Sequence, residues 1–454
     1  MSLIKDIFSS VEKLLLGSLS SALSSIEGVN IKGVGRDFRP GDIELIDIIL
    51  MSEDQQRAYS LMSNAATIDI YESILSPTMW CELTIADSSG LLQNFPIIGE
   101  EYVKIVFRTP GSSGEPAEYL MRVNAVLNKQ ANESNKRMTY TLQCCSAELI
   151  TNAKLSVTLT ESSNIDAIVK RIVDEYVETE KPLFVEATDG IEDVRITNLS
   201  PYQAIDFLRQ RAVSNRYQSS SFCFYENRKG LHFALIEKML EEGARIVESG
   251  NTDKIFFYDT ARKDSLESVT MRNIIAFNQI QFGDSISQVA SGGLNNEVQE
   301  FDLITGDLRT VTYTDNIGSD EFKSSSSTSS GTHTTSFTRR HGRETTVTRT
   351  RTTRSDRPLI DHAEKMTKLQ AYAQKIAQNI MQIHIYGDSA ITIGDVVELK
   401  LPSAVDTSTD SGEARLTSGS YMVSKVRHMI LNNDRPQYTQ ALELIKTDLQ
   451  EVSS

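Results

Sequence analysis

The side chains able to do chemistry are few and scattered. Six histidines stand at 232, 333, 341, 362, 384 and 428 with no HxxxH pair, and the four cysteines, Cys81, Cys144, Cys145 and Cys223, include no CxxC and have no histidine at ligand spacing. Zinc chemistry therefore lacks a donor set. The cysteines sit in apolar, strand-like surroundings and read as buried free thiols in a reducing cytoplasm. Adjacent Cys144 and Cys145 point to opposite faces of a strand, which argues against a mutual disulfide. Glu100 and Glu101 are candidates for an acid/base pair at a sugar bond, but neighbours at the start of a strand cannot flank one bond, and a solvated turn is the better reading. His428 beside Arg427 satisfies a local hydrogen bond more readily than it abstracts a proton. Gly33-Val34-Gly35-Arg36 follows no strong strand and lacks the third glycine of a dinucleotide site. A Walker sequence and a GxSxG elbow are also missing. Trp80 and the tyrosines suggest a sugar-binding surface, against which stands the usual fate of alternate apolar residues in strands, burial in a core. No catalytic residue, metal ligand or cofactor is assigned.

What would position these residues is mostly β structure. The 454 residues are 39% hydrophobic and 24% charged, enough for several ordinary cores. Residues 3–26 place Ile4, Phe8, Val11, Leu15, Leu19, Ala22 and Ile26 at steps of three and four, an amphipathic N-terminal helix with few cations and so a docking element rather than a membrane one. Short alternating strands follow from Ile43 to Ile150, separated by turns such as Asp87-Ser88-Ser89-Gly90. Residues 151–265 are mixed: a helix over Asn164–Tyr176, a second after the Ser200-Pro201 start signal, and a hairpin turning at Asn227-Arg228-Lys229-Gly230. Strands resume over 266–314, a helix is expected over Asp361–Gln382, and strands close the chain to Leu449. No apolar run of 18 residues or secretory leader is read, so no membrane span is expected.

Charge divides the chain unevenly. The net charge is −15 with a pI near 5.0, which argues against binding nucleic acid over the whole surface. Ser324–Arg357, rich in Ser and Thr, carries Arg339, Arg340, Arg343, Arg349, Arg351, Arg354 and Arg357 against Glu344 and Asp356, a net +5 that leaves −20 elsewhere. Such a tract reads as a solvated loop or as an arm docking on an acidic partner, and its Thr-Val-Thr-Arg-Thr-Arg-Thr run alternates well enough to add a strand on a partner.

A pattern recurs. Gly99-Glu100-Glu101-Tyr102, then Tyr119-Leu120-Met121, then Tyr140-Thr141-Leu142 is matched by Gly394-Asp395-Val396-Val397, then Tyr421-Met422-Val423, then Tyr438-Thr439-Gln440. Each set reads as a Gly-acid turn, a strand, a Tyr-led strand and a Tyr-Thr strand, as expected of a duplicated barrel.

The ordered set of Ile70-Tyr71-Glu72-Ser73-Ile74, Leu83-Thr84-Ile85-Ala86-Asp87 and Ile97-Ile98-Gly99-Glu100-Glu101, then Leu199-Ser200-Pro201-Tyr202-Gln203-Ala204-Ile205 and Phe222-Cys223-Phe224-Tyr225-Glu226-Asn227, then Ile393-Gly394-Asp395-Val396-Val397 and Ser418-Gly419-Ser420-Tyr421-Met422-Val423 resembles the baseplate hub proteins of contractile-tailed bacteriophages. These are similar in turn to the N-terminal hub part of type VI secretion spike proteins. The resemblance spans roughly residues 40–449 apart from the arginine tract. It implies a mainly β chain with α+β parts, in which a tube-like antiparallel β-barrel at 31–150 and a second from 266–323 and 358–449 flank a small α/β insert at 151–265; the amphipathic N-terminal helix at 1–30 and the Ser/Thr/Arg-rich extended loop at 324–357 depart from the family picture. It also implies a homotrimer in the virion tail baseplate, assembled in the host cytoplasm. Such a trimer would form a pseudo-hexameric ring between the sixfold tail tube protein and the threefold central spike protein, meet other baseplate proteins, and let DNA pass without specific binding. The alternative is a tail-associated carbohydrate-binding or cell-wall-hydrolase module. The candidate docking arm comprises Arg339, Arg340, Arg343, Arg349, Arg351 and Arg354.

Overall fold

The structure is a computed structural model that describes residues 39–446 apart from 55, 96, 111–114, 133–136, 215, 218–219, 249–253, 259–270, 283–294, 303–307, 317–318, 326–351, 356–378 and 403–416. The expected N-terminal helix lies outside the described residues. So does most of the helix expected over Asp361–Gln382, but its last four positions are strand: Ile380 lies in a ladder whose alternate residues Met381 and Ile383 are buried, so the twofold period overrides the helical one there.

The first seven strands are β1 (Glu44–Met51), β2 (Ala58–Ser60), β3 (Ala65–Ser73), β4 (Trp80–Asp87), β5 (Tyr102–Arg108), β6 (Ala117–Asn132) and β7 (Arg137–Cys145). Strict alternation explains them. In β4, Cys81, Leu83 and Ile85 are fully buried while Trp80, Glu82 and Thr84 face outward. Neighbouring strands run in the order β3-β4-β7-β6-β5-β1, all antiparallel.

A second set comprises β13 (Ile255–Phe257), β14 (Ile274–Phe282), β19 (Asn379–Tyr386), β20 (Val396–Lys400), β21 (Gly419–Leu431) and β22 (Gln437–Ile445). Its order is β14-β19-β22-β21-β20-β13. This barrel closes through β13, which lies parallel to β20 and bridges Asn273 at the head of β14 in parallel. It thus departs from an all-antiparallel barrel at that one strand.

The two barrels share a hairpin. One edge of β21 pairs with β20 over residues 419–422 and with β3 over 425–431; the other edge pairs with β22. Asp42, just before β1, bridges Gln437 of β22, so the first barrel closes by borrowing the far ends of β21 and β22. Ile430 and Tyr438 accordingly lie in the first core, with Phe107 and Tyr140, whereas Tyr421, Val423 and Leu444 lie in the second.

Between the barrels in sequence lies the α/β insert. Strands β8 (Val157–Ser163) and β10 (Glu192–Leu199) form one sheet, and β11 (Phe222–Asn227), β12 (Gly230–Leu235) and the parallel β9 (Leu183–Val185) another. The helix Ile165–Ile172, extended by a π turn over Val173–Val177, and the helix Pro201–Arg209 pack over them. The latter starts in a capping box in which the Ser200 hydroxyl accepts from the Gln203 N–H and the Ser200 N–H donates to the Gln203 side chain. A helix not read from the sequence, Ile236–Glu248, follows β12 directly and sets Ile236 and Met239 in the second barrel's core. A separate sheet ordered β17-β16-β15-β18 comprises β15 (Asn295–Asp302), β16 (Leu308–Asn316), β17 (Ser319–Ser325) and β18 (Thr352–Ser355). Residues 324–325 and 352–355 of the arginine tract are therefore strand, paired within the chain.

Candidate assembly interface

The two barrels correspond strand for strand, and the correspondence is numerical. Val123 pairs with Cys144 and Val126 with Leu142; Val423 pairs with Leu444 and Val426 with Leu442. The β4–β7 and β19–β22 ladders obey the same offset of 300 residues, with Trp80 opposite Cys145 and Ile380 opposite Ile445. One bulge coincides, between Val123 and Ala125 and between Val423 and Lys425, whereas a second in β6, between Leu127 and Gln130, has no counterpart in β21. The Gly-acid turns match as well. Glu101 accepts from the backbone N–H three residues back, at Ile98, and Asp395 from the one three residues back, at Thr392. The Glu101 and Asp395 carbonyls accept from Val123 and Val423 at 2.8 Å each. Gly99 and Gly394 hold φ of 98° and 84°, where a side chain would be strained. The tyrosines that mark the repeat in sequence are not equivalent in space: Met121, not Tyr119, occupies the place of Tyr421.

At the junction, the seven pairs from Lys425–Ser73 to Leu431–Thr67 make one continuous sheet of both barrels. Arg427 reaches Asp69 at 3.0 Å and lies over the Tyr71 ring. Beneath it is a buried polar cluster. Glu72 accepts from the Tyr119 hydroxyl at 3.0 Å and from the Thr392 hydroxyl at 2.7 Å, with His428 Nε2 at 3.8 Å. His428 Nδ1 meets the Tyr438 hydroxyl at 2.6 Å. Burial works against the Glu72 charge, but the neighbouring His428 and the hydrogen bonds from the Thr392 and Tyr119 hydroxyls outweigh it and hold the carboxyl below its ordinary range. Tyr119 and Tyr438 are pushed far up by burial. Thr109 and Ser389 exchange N–H···Oγ bonds at 3.1 and 2.9 Å, which ties the barrels together at a second point.

The insert is locked to the first barrel by charge. Lys181 donates to Glu148 at 2.7 Å and to Glu226, whose side chain is wholly buried. Glu226 also takes the Ser146 hydroxyl and the Met79 N–H. Burial and the Glu148 charge push Glu226 up against the pull of Lys181; Glu148, despite its burial, is held low by the same ammonium.

No protein-family model and no curated protein sequence matches this chain. Solved structures do. A tail protein from Neisseria meningitidis MC58 superposes with a TM-score of 0.53 at 11% identity over 89% of this chain and 97% of that one. The 43 kDa tail protein of prophage MuSo2 from Shewanella oneidensis gives 0.52 at 10% identity over 89% and 99%. The chain has the fold of these tail proteins. A chain of the Francisella PdpA–VgrG complex gives 0.46 at 11% identity, covering all of this chain and 64% of that one.

Within this tail-protein fold the sequence-read residues fall as follows. Arg339, Arg340, Arg343, Arg349 and Arg351 lie outside the described residues, and Arg354 lies in β18, paired in parallel with Phe301. Glu101 folds back onto the N–H groups of Ile98, Gly99 and Glu100, while Glu100 is exposed, so the pair shares no site. The four cysteines are free and buried; burial raises Cys145 to about 11 and Cys223 to about 12. Among the described residues no three His, Cys, Asp or Glu side chains converge as metal ligands, and no helix is long and apolar enough to cross a membrane. A cleft of 560 Å³ between insert and second barrel is lined by Tyr225, His232, Lys238, Lys254 and Asp395, with Lys238 already paired to Glu186 and Lys254 to Asp395. Sequence reasoning missed Glu226 and Lys181, whose meeting depends on a contact across 45 residues that no local pattern records.

Proposed function

We propose that this chain is the structural, non-enzymatic baseplate hub of a contractile phage tail, and that three copies form a pseudo-hexameric ring joining a sixfold tail tube to a threefold central spike. The observation that carries this reading is the 300-residue correspondence of two barrels in one chain. A threefold assembly can meet a sixfold one when every subunit offers two like surfaces, and duplication supplies them. The −20 charge outside the arginine tract suits a conduit that DNA crosses without holding, because phosphates find few clustered cations along it. The protein then belongs to the virion, assembles in the host cytoplasm, and meets the tube protein, the spike protein and baseplate neighbours. The arginine tract, with Arg339, Arg340, Arg343, Arg349, Arg351 and Arg354, is the arm that docks on an acidic neighbour.

The test is mass by light scattering together with class averages by electron microscopy, for the chain alone and with the spike co-expressed. A trimer with six barrel lobes around a central hole is expected. A monomer under both conditions, or a ring of another order, refutes the reading. Deleting residues 326–351, which spares β17 and β18, should leave the ring intact and impair joining to other baseplate proteins; unimpaired joining removes the docking arm.

A further inference from the structure

Inside one chain, the barrels join because β3 lies along the second half of β21, the half that β20 leaves free. The chain carries the same two edges again, at its opposite ends. The counterpart of β21 is β6, whose residues 117–122 pair with β5; over residues 125–132 that edge has no partner strand among the described residues. The counterpart of β3 is β14. Ala65 and Thr67 pair with Ile85 and Thr84 across a bulge, and Ile274 and Ala276 pair with Ile385 and His384 across the same bulge. Among the described residues β14 is a terminal strand of the sheet: residues 274–282 pair only with β19, and the other edge meets β13 only through the Asn273 bridge just ahead of the strand.

We propose that the free half of β6 in one copy receives β14 of a second copy, antiparallel, with Leu127 opposite Gln281. The register follows from the inner junction. There Arg427 faces Tyr71, and Tyr71 faces Trp80. Leu127 takes the place of Arg427, since Leu127 pairs with Thr141 and Arg427 with Ala441. Gln281 takes the place of Tyr71, since Gln281 pairs with Ile380, the counterpart of Trp80. The residue skipped by the β14 bulge, Ile280, stays unpaired.

Exposure marks these edges as unfinished. At the inner junction Ile68 and Ile70 are fully buried, Val426 is 1% exposed and Ile430 2%. On β14, Phe277 and Ile280 are 42% and 47% exposed, and residues 128–131 of β6 are all exposed. A second copy is the occupant because the two edges are different and complementary: joining one end of each chain to the other end of the next is a heterologous contact, which closes into a ring when the rotation permits. It also satisfies the backbone groups that two open strand edges present to water. The pairing rests on the ring reading above and gives that ring its contact between chains.

The test uses the full chain with Leu127→Cys and Gln281→Cys. Residues opposite each other across antiparallel strands lie about 4.5–5.5 Å apart at Cα, within disulfide range, and the native thiols are buried. Oxidation should give covalent multimers, up to the copy number of the ring, that collapse to single chains on reduction. Mixing the two single variants should give linked dimers only. The pair Leu127→Cys with Phe277→Cys, displaced by about 13 Å along β14, should stay unlinked. If light scattering shows the ring but Leu127→Cys/Gln281→Cys does not link, or the displaced pair links as well, the pairing is overturned and the ring stands. If every variant and the parent remain single chains, both alone and with the spike co-expressed, both are overturned.

Discussion

Lys181→Met removes the one ammonium that two buried carboxylates share. Lys181 is 26% exposed, Glu148 8% and Glu226 0%, so neither acid can turn to water without moving the insert off the first barrel. Deleting one partner of a buried ion pair costs about 3–5 kcal/mol, and the upper half of that range applies where two anions are stranded. The loss has a pH signature. Burial and Glu148 already raise Glu226, and the variant raises it further above its unfolded value, so the folded variant binds a proton that the unfolded chain does not. Its stability therefore rises on acidification, by up to about 1.4 kcal/mol per pH unit for one proton, and the deficit narrows between pH 7 and pH 5. Urea unfolding across that range, followed by hydrogen exchange in β11 and β12, measures it. Lys181→Met with Glu226→Gln should recover most of the loss at pH 7. A deficit below about 1 kcal/mol, or one that does not change with pH, would refute the assignment of Lys181 as the charge lock between insert and barrel.

Two further outcomes are expected. Gly387→Ala would put its Cβ 2.1 Å from the Tyr438 ring; overpacking of this kind should cost about 1–3 kcal/mol, read as a lowered Tm, whereas an unchanged Tm would mean that the ring stacked on His428 moves freely. His232 and His384 are each lowered to about 4 by burial. Their folded forms bind fewer protons than the unfolded chain between pH 4 and pH 6.5, so stability is full above pH 6.5 and declines as pH falls, by at most about 3 kcal/mol per histidine. His384→Leu should flatten that decline in urea midpoints measured from pH 7.5 to 4.5.

The strands were legible because alternation is local. In β4, β5 and β7 every second residue is apolar apart from Asp87 at the end of β4, and all of these apolar residues are buried apart from the half-buried Met138. The repeat was legible in order but not in register. Tyr119 and Tyr421 both face a core, and a slip of two residues keeps every side chain on its own face, so residue type alone could not detect it. The sharing of β21 and β22 between barrels left no local mark, since the Asp42–Gln437 bridge and the β3–β21 ladder span hundreds of residues. A signal did exist in length: β21 runs 13 residues and β6 runs 16, about twice what a single short partner such as β20 or β5 can cover. The helix Ile236–Glu248 carried its own 3.6-residue stripe, hidden because it follows β12 with no turn residue between them.

The inner and outer edges differ in a way that suits their different duties. The inner junction is made once, during folding, and is fixed by groups that have no counterpart elsewhere. Glu72 and His428 are buried among Tyr119, Tyr438 and Thr392, and the positions equivalent to Tyr119 and Tyr438 in the 300-residue correspondence are Gly419 and Met138. A buried ionic cluster of that kind would be costly to leave open to a partner that has not yet arrived, because one missing acceptor strands the rest. The outer edges carry Asn128, Lys129 and Gln130 on β6 and Gln281 on β14, side chains that water satisfies in the free chain and that discourage indiscriminate strand pairing, while Gln279 on β14 already donates to Asn379 at 2.7 Å. Assembly between copies can then draw on backbone pairing and on Phe277 and Ile280, without first having to bury a charge.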